Sequence, residues 1–425
     1  MLKAKFYNKK KPTIKPLSLK KNFSWTLIGN IIYAVCQWGL LVALAKIGSP
    51  EMMGKFALAL AISAPIMMLT NLQLRAVQST DTEELYHFSD YLGLRLITCL
   101  LALVLITIVV VVVGYPLEII LIVLIITISK IIESISDVIF GLLQKNELMD
   151  RISISMILKG ILSLITLVIV ISITKNLIYG TLALVFSWLL VLLFYDIRNA
   201  REFTAFKPKF RFLSIFNLVK LSLPLGIVFL ILSLNTNIPR YFLEYYFGVE
   251  ELGFFIAMAY LIVAGNTIII ALGQSATPRL AKDYASGNRK KFSILLLRLI
   301  FIAFFIGVIG MVGSLLFGKP LLTLIYKEDY ANNSDVFFII MLAGMINYIG
   351  SVLGYGMTAT RSFKIQPYIS FVSLISGLIS SILLIPIYGL MGAAYTLVLS
   401  ASVQLVLKSL ALIYLTYNKK PEHQT

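Results

Sequence analysis

Charge is scarce in this chain. Asp, Glu, Lys and Arg make up 13% of its 425 residues, hydrophobic residues 59%, and the mean hydropathy is +0.91. A water-soluble domain needs about a quarter charged residues to cover its surface, so this composition excludes one and predicts an outer surface that faces lipid. Cysteine and histidine are nearly absent. Cys36 and Cys99 are isolated inside apolar runs, which excludes a disulfide framework and a thiolate metal site. His87 falls in a polar loop and His423 in the C-terminal tail, so no histidine metal site is expected and no cofactor is implied. Acids are outnumbered by bases, 20 to 37. The excess sits in loops between apolar runs, where topology uses it, and not on a basic face interleaved with aromatics, so nucleic acid is not an expected partner.

Long apolar runs fill the space that charge leaves. A crossing needs roughly 20 apolar residues, and about twelve such stretches use nearly the whole length. They fall near 22–46, 52–76, 91–113, 118–143, 152–174 and 177–197, then 217–243, 251–277, 292–316, 334–359, 365–386 and 390–415. The expected organisation is all-α and membrane-embedded, with about twelve transmembrane helices. A basic cytoplasmic tail (1–21) precedes a six-helix bundle (22–197). A basic cytoplasmic linker (198–216), a second bundle (217–415) and a cytoplasmic tail (416–425) follow. The first run is too long for a signal-peptide core of roughly 7–15 residues, so it reads as a retained span.

Loop charge orients these spans. One side carries the lysine-rich N-terminal tail, Lys145, Arg151, the basic 198–216 segment, Lys282, Arg289, Lys290, Lys291, Arg361, Lys364, Lys419 and Lys420. The other carries a few lysines among acids. The basic side is cytoplasmic, which places both termini inside.

The chain also repeats itself. Gly48 to Ala59 opens the second span and Gly248 to Ala259 the eighth; aligning Gly54 with Gly253 pairs Glu51 with Glu250 and Phe56 with Phe255. Ile178, Tyr179 and Gly180 open the sixth span, as Ile387, Tyr388 and Gly389 open the twelfth. An offset of six spans predicts two halves inserted in the same orientation, related by an axis along the membrane normal and enclosing a central cleft suited to alternating access.

The motifs Ser49-Pro50-Glu51-x-x-Gly54-x-Phe56 and Gly248-x-x-Glu251-Leu252-Gly253-x-Phe255 carry a resemblance. Gly141 to Asn146 and Leu223-Pro224-Leu225-Gly226 add to it. With the span count, they resemble the multidrug/oligosaccharidyl-lipid/polysaccharide exporter superfamily, and within it the Wzx-type flippases of bacterial polysaccharide assembly. The resemblance runs along the whole chain. It implies flipping of an undecaprenyl-diphosphate-linked oligosaccharide, as in O-antigen or lipopolysaccharide synthesis, across the bacterial cytoplasmic membrane. It also implies antiport with a proton or sodium ion. The substrate, the coupling ion and membrane lipids are then the partners.

Enzyme signatures fail on context, and no catalytic residue is expected. Gly313-x-x-x-x-Gly318-Lys319 is followed by Pro320 where a phosphate loop needs Ser or Thr. Gly350-x-x-x-Gly354 reads as helix packing. Ionisable groups inside spans say more, because a charge at the bilayer centre usually faces protein or a wet cavity. Lys130, Glu133, Asp137 and Gln144 share one stripe of the fourth span. Lys159 on the fifth is expected opposite Asp137, since both lie about equally far from the Lys145–Asp150 turn. Two readings stand side by side: a structural ion network, or a cavity wall in which Glu133 and Asp137 couple an ion while Lys130 and Lys159 meet substrate. On the seventh span, Asn235, Asn237 and Arg240 flank Pro239. Arg240 either pairs with Glu244, itself an ion-coupling candidate, or meets diphosphate. Asn30, Gln37, Asn266 and Asn347 are candidates for sugar hydroxyls, and Arg298 for the inner mouth. The other arginines near span ends, and Lys408, read mainly as topology and snorkelling.

Two rivals remain. A cation-coupled multidrug exporter should have an acidic, aromatic cleft, which mid-span lysines and arginines disfavour. A membrane glycosyltransferase or polysaccharide polymerase should have large outer loops, which are missing from the sequence.

Overall fold

A computed structural model describes residues 17–81, 85–360 and 365–417. The basic residues expected before position 17, together with Arg361, Lys364, Lys419, Lys420 and His423, lie outside them. Among the described residues the chain is helical with no strand. Its helices are α1 (Leu19–Ile47), α2 (Pro50–Asn71), α3 (Leu74–Thr80), α4 (Phe88–Val113), α5 (Leu117–Lys145), α6 (Met149–Thr174) and α7 (Leu177–Val191). A π-helical turn (Leu192–Asp196) joins α7 to α8 (Ile197–Arg201). Then come α9 (Phe212–Tyr260), α10 (Ile262–Ala285), α11 (Arg289–Ile325), α12 (Glu328–Ala331), α13 (Ser334–Ala359) and α14 (Gln366–Tyr417).

Among the described residues, ten helical stretches are long and apolar enough to cross a membrane. Two are far longer than one crossing: Phe212–Ala285 has 74 residues and Gln366–Thr416 has 51. At about 1.5 Å per residue either overruns a hydrocarbon layer about 30 Å thick. Each breaks at a glycine, Gly248 (φ 85°, ψ 178°) and Gly389 (φ 56°, ψ −128°), where an L side chain is strained. Divided there, the described residues hold twelve stretches of crossing length. Apolar side chains on the outward faces, such as Val112, Ile173, Phe301 and Ile309, stay exposed, as a lipid-facing surface requires.

The chain forms two compact units. The first holds the described residues up to Leu40 and Ile62–Ile227; the second holds Leu41–Ala61 and from Val228 onward. In the first, the segment after α8 returns to α4, where the Lys209 amide donates to the Ser89 carbonyl at 2.9 Å. A side chain at Gly93 would collide with that Lys209 backbone.

In the second unit the two aligned junctions meet. A β-carbon on Gly54 would fall on the Val249 carbonyl, and one on Gly253 would fall on the Pro50 carbonyl. Val249 precedes Gly253 by four residues, as Pro50 precedes Gly54, so the contact is reciprocal, like an isologous interface. Only glycine allows backbones this close. Tyr330 in α12 packs there, its buried hydroxyl donating to Met53 Sδ at 3.5 Å. Burial, with Tyr326 and Asp329 beside it, pushes the Tyr330 phenol well above its ordinary range. Lys327 donates to the Gly48 carbonyl at 2.9 Å. The Gly313–Lys319 segment lies within α11, not in a strand–loop–helix turn. Both cysteines are buried and unpaired.

Candidate functional site

The first unit gathers its membrane charges on α5. Lys130 Nζ donates to Glu133 Oε2 at 2.9 Å, one turn on, and lies 5.2 Å from the Trp188 ring centre. The Tyr33 hydroxyl donates to Glu133 Oε1 at 3.0 Å. Asp137, a turn further along the stripe, lies between two arginines: Arg75 Nη1 is 3.7 Å away and Arg95 Nη2 3.8 Å. Arg75 also donates to Gln144 Oε1 at 2.9 Å, and Arg95 to Asn71 Oδ1 at 3.4 Å. The 3.6-residue repeat thus aims the α5 acids and amide along one face, where α3 and α4 supply the cations.

The expected Asp137–Lys159 pair does not form. Lys159 turns to Asp196, donating to its Oδ2 at 2.8 Å and to Ser136 Oγ at 2.5 Å, while Ser136 Oγ donates to the same carboxylate oxygen at 2.7 Å. Lys159 and Asp196 are 3% and 1% exposed, so this pair is fully internal. Equal distance from a hairpin turn guides height in the membrane but not rotation about the helix axes. Asp196 is the partner that sequence reasoning misses. It is the sole acid in the apolar 177–197 run, which is the one signal that could have found it. The π-helical turn that ends at Asp196 shifts its direction relative to a regular α-helix. Arg95 also departs from expectation. It is 1% exposed and packed against Asp137, not snorkelling at a span end. Of the first-unit amides, Asn30 is exposed and Gln37 half-buried, its Nε2 without a partner among the described residues.

In the second unit α9 carries Asn235, Asn237 and Arg240. Pro239 cannot donate to the Asn235 carbonyl. Asn235 Nδ2 donates to Ser373 Oγ at 3.3 Å, leaving its Oδ1 buried without a partner among the described residues. Asn237 Nδ2 donates to the Ser233 carbonyl at 2.8 Å, and its Oδ1 accepts from Arg240 Nη1 at 3.0 Å. Arg240 Nε is buried without a partner among the described residues. Among the described residues no carboxylate pairs with this guanidinium; Glu244 is half-buried with contacts of its own. Asn266 and Asn347 are half-buried, and Arg298 is exposed on α11 beside Leu297 and Phe301.

Together the twelve crossings, the glycine breaks and the in-span charges define a multi-pass membrane protein of transporter type. The chain belongs to the polysaccharide biosynthesis protein family, whose model matches residues 19–283; a MatE model matches 224–387. It is 33% identical to the capsular polysaccharide biosynthesis protein CapF of Staphylococcus aureus, over 91% of this chain and 97% of that one. Among solved structures, the fold is similar to the lipid II flippase MurJ in an inward closed conformation. That match has a TM-score of 0.72 and 15% identity, covering 91% of this chain and 87% of MurJ. It is also similar to an inward-facing multidrug resistance MATE transporter of the MOP superfamily. There the TM-score is 0.62 and the identity 16%, covering 96% and 98% of the two chains.

Proposed function

We propose that the chain flips a lipid-linked oligosaccharide, carried on undecaprenyl diphosphate, across the bacterial cytoplasmic membrane. It would work by alternating access, with both termini in the cytoplasm. The observation that carries this reading is Arg240: a guanidinium in a membrane-spanning helix that, among the described residues, is held only by an amide oxygen. A charge there without a counter-ion is costly. A diphosphate supplies the missing anion and suits the bidentate geometry of guanidinium. The family and the capsular relative support a polysaccharide substrate. Asn235 and Asn237 on the same helix, with Asn30, Gln37, Asn266 and Asn347, would meet sugar hydroxyls. Arg298 would receive the head group.

Coupling to a proton or sodium ion belongs to the same proposal, with Glu133, Asp137 and Glu244 as candidates. Asp137 is the sharpest of them, since neutralising it leaves Arg75 and Arg95 facing each other. In proteoliposomes loaded with a polyprenyl-diphosphate oligosaccharide, the wild-type chain should expose the sugar on the far leaflet, and Arg240→Gln should slow this about tenfold or more. Equal rates for vesicles with and without the protein would reject the reading. Asp137→Asn with an unchanged pH profile of flipping would remove Asp137 from coupling.

The MatE match over 224–387 favours a second reading, export of cationic drugs. Arg240 repels such cargo. Unchanged susceptibility to ethidium in a deletion strain is the expected result.

A further inference from the structure

The final helix holds a cation that the site above does not use. Lys408 lies 19 residues past the Gly389 break in α14, about 28 Å along the axis at 1.5 Å per residue. Gly350, which faces it, lies nine residues before Ala359, the end of α13. Both lie inside membrane-crossing stretches, with Lys408 in the half of its crossing away from the Gly389 break. The ammonium does not snorkel. It is turned onto α13, donating to the Gly350 carbonyl at 3.0 Å and to Gln404 Oε1 at 3.1 Å. Both acceptors are neutral, and no carboxylate pairs with Lys408 among the described residues. An ammonium has three N–H donors, so one remains.

Gly350 and Gly354, expected as packing positions, leave room beside it. A β-carbon on Gly354 would stand 3.5 Å from Lys408 Nζ, and one on Gly350 would stand 3.9 Å from Gln404 Oε1. The contrast with the first unit is sharp. There Lys130, Lys159, Arg75 and Arg95 each have a carboxylate partner. A half-buried ammonium inside a membrane span, with neutral partners only among the described residues, is unfavourable unless an anion arrives.

We propose that Lys408, set against Gly350 and Gly354 with Gln404 beside it, is an anion-binding residue of the second unit whose ligand is the diphosphate of the transported lipid. This rests on the flippase reading. Lys130 and Lys159 then serve as structural cations.

The test uses the purified full chain in detergent, with farnesyl diphosphate as probe and farnesol as control. Wild type should bind the diphosphate and not the alcohol. Lys408→Gln should weaken binding about tenfold or more, since a hydrogen bond to a charged group is lost, and Lys408→Arg should keep most of it. Gly354→Leu keeps the charge and covers the ammonium. It should weaken binding similarly, and it decides the matter if Lys408→Gln fails to fold. Wild-type binding by Lys408→Gln, or by Gly354→Leu where that is the deciding variant, would overturn the role of Lys408 and leave the flippase reading standing. A wild-type chain that ignores the diphosphate would overturn both.

Discussion

Lys159 and Asp196 show how a buried pair behaves. Removing water from two charges is expensive, and their attraction offsets that only while both are present. Asp196→Asn or Lys159→Met alone should therefore cost about 3–5 kcal/mol. The double replacement Lys159→Met with Asp196→Leu should recover most of that loss, read as the thermal midpoint of the purified protein in one detergent. Equal losses for single and double variants would mean that the pair is not the source of the stability. Asp137 differs because two guanidiniums share it, at 3.7 and 3.8 Å. The stripe of Lys130, Glu133, Asp137 and Gln144 is legible from spacing alone, because a helix fixes which residues share a face. The partners are not, because Arg75, Arg95 and Asp196 reach it from other helices.

Glycines decide the geometry of the helices. Gly54 and Gly253 approach each other's preceding turn so closely that any β-carbon meets a carbonyl oxygen. Backbone atoms cannot rotate away as a side chain can. Gly54→Ala and Gly253→Ala should each destabilise by about 1–3 kcal/mol or more, the range for overpacking. Their double variant should lose less than the sum, because one displacement relieves both; additive losses would argue against a shared contact. Gly248 acts by conformation instead: its φ is 85°, and a β-carbon placed on it would have no atom within 4 Å. Gly248→Ala should cost about 1–3 kcal/mol from backbone strain alone, seen as a lowered midpoint with the same end states. The pattern shared by the Gly54 and Gly253 junctions is visible in the sequence at a six-span offset. That the two copies touch is not.

Across the whole molecule, charge is unevenly held. The first unit pairs its membrane cations internally, whereas, among the described residues, Arg240 and Lys408 in the second have neutral partners only. Flux should follow that division. Arg240→Gln should slow flipping about tenfold or more, while the double Lys159→Met, Asp196→Leu variant, which removes one charge of each sign, should stay within about twofold of wild type once corrected for folded protein. The reverse order would place substrate binding in the first unit.

The solvent and the class of this protein follow from its residues in order, without coordinates. Scarcity of charge forces lipid contact, run lengths set the crossings, and glycine-rich junctions repeat at a six-span offset; these are local or additive properties. Which charges are neutralised is a matter of packing. A helix's periodicity sets the face on which Lys159 or Arg240 stands, but the helix that packs against that face, and so the sign of the group waiting there, depends on contacts between residues tens to hundreds of positions apart.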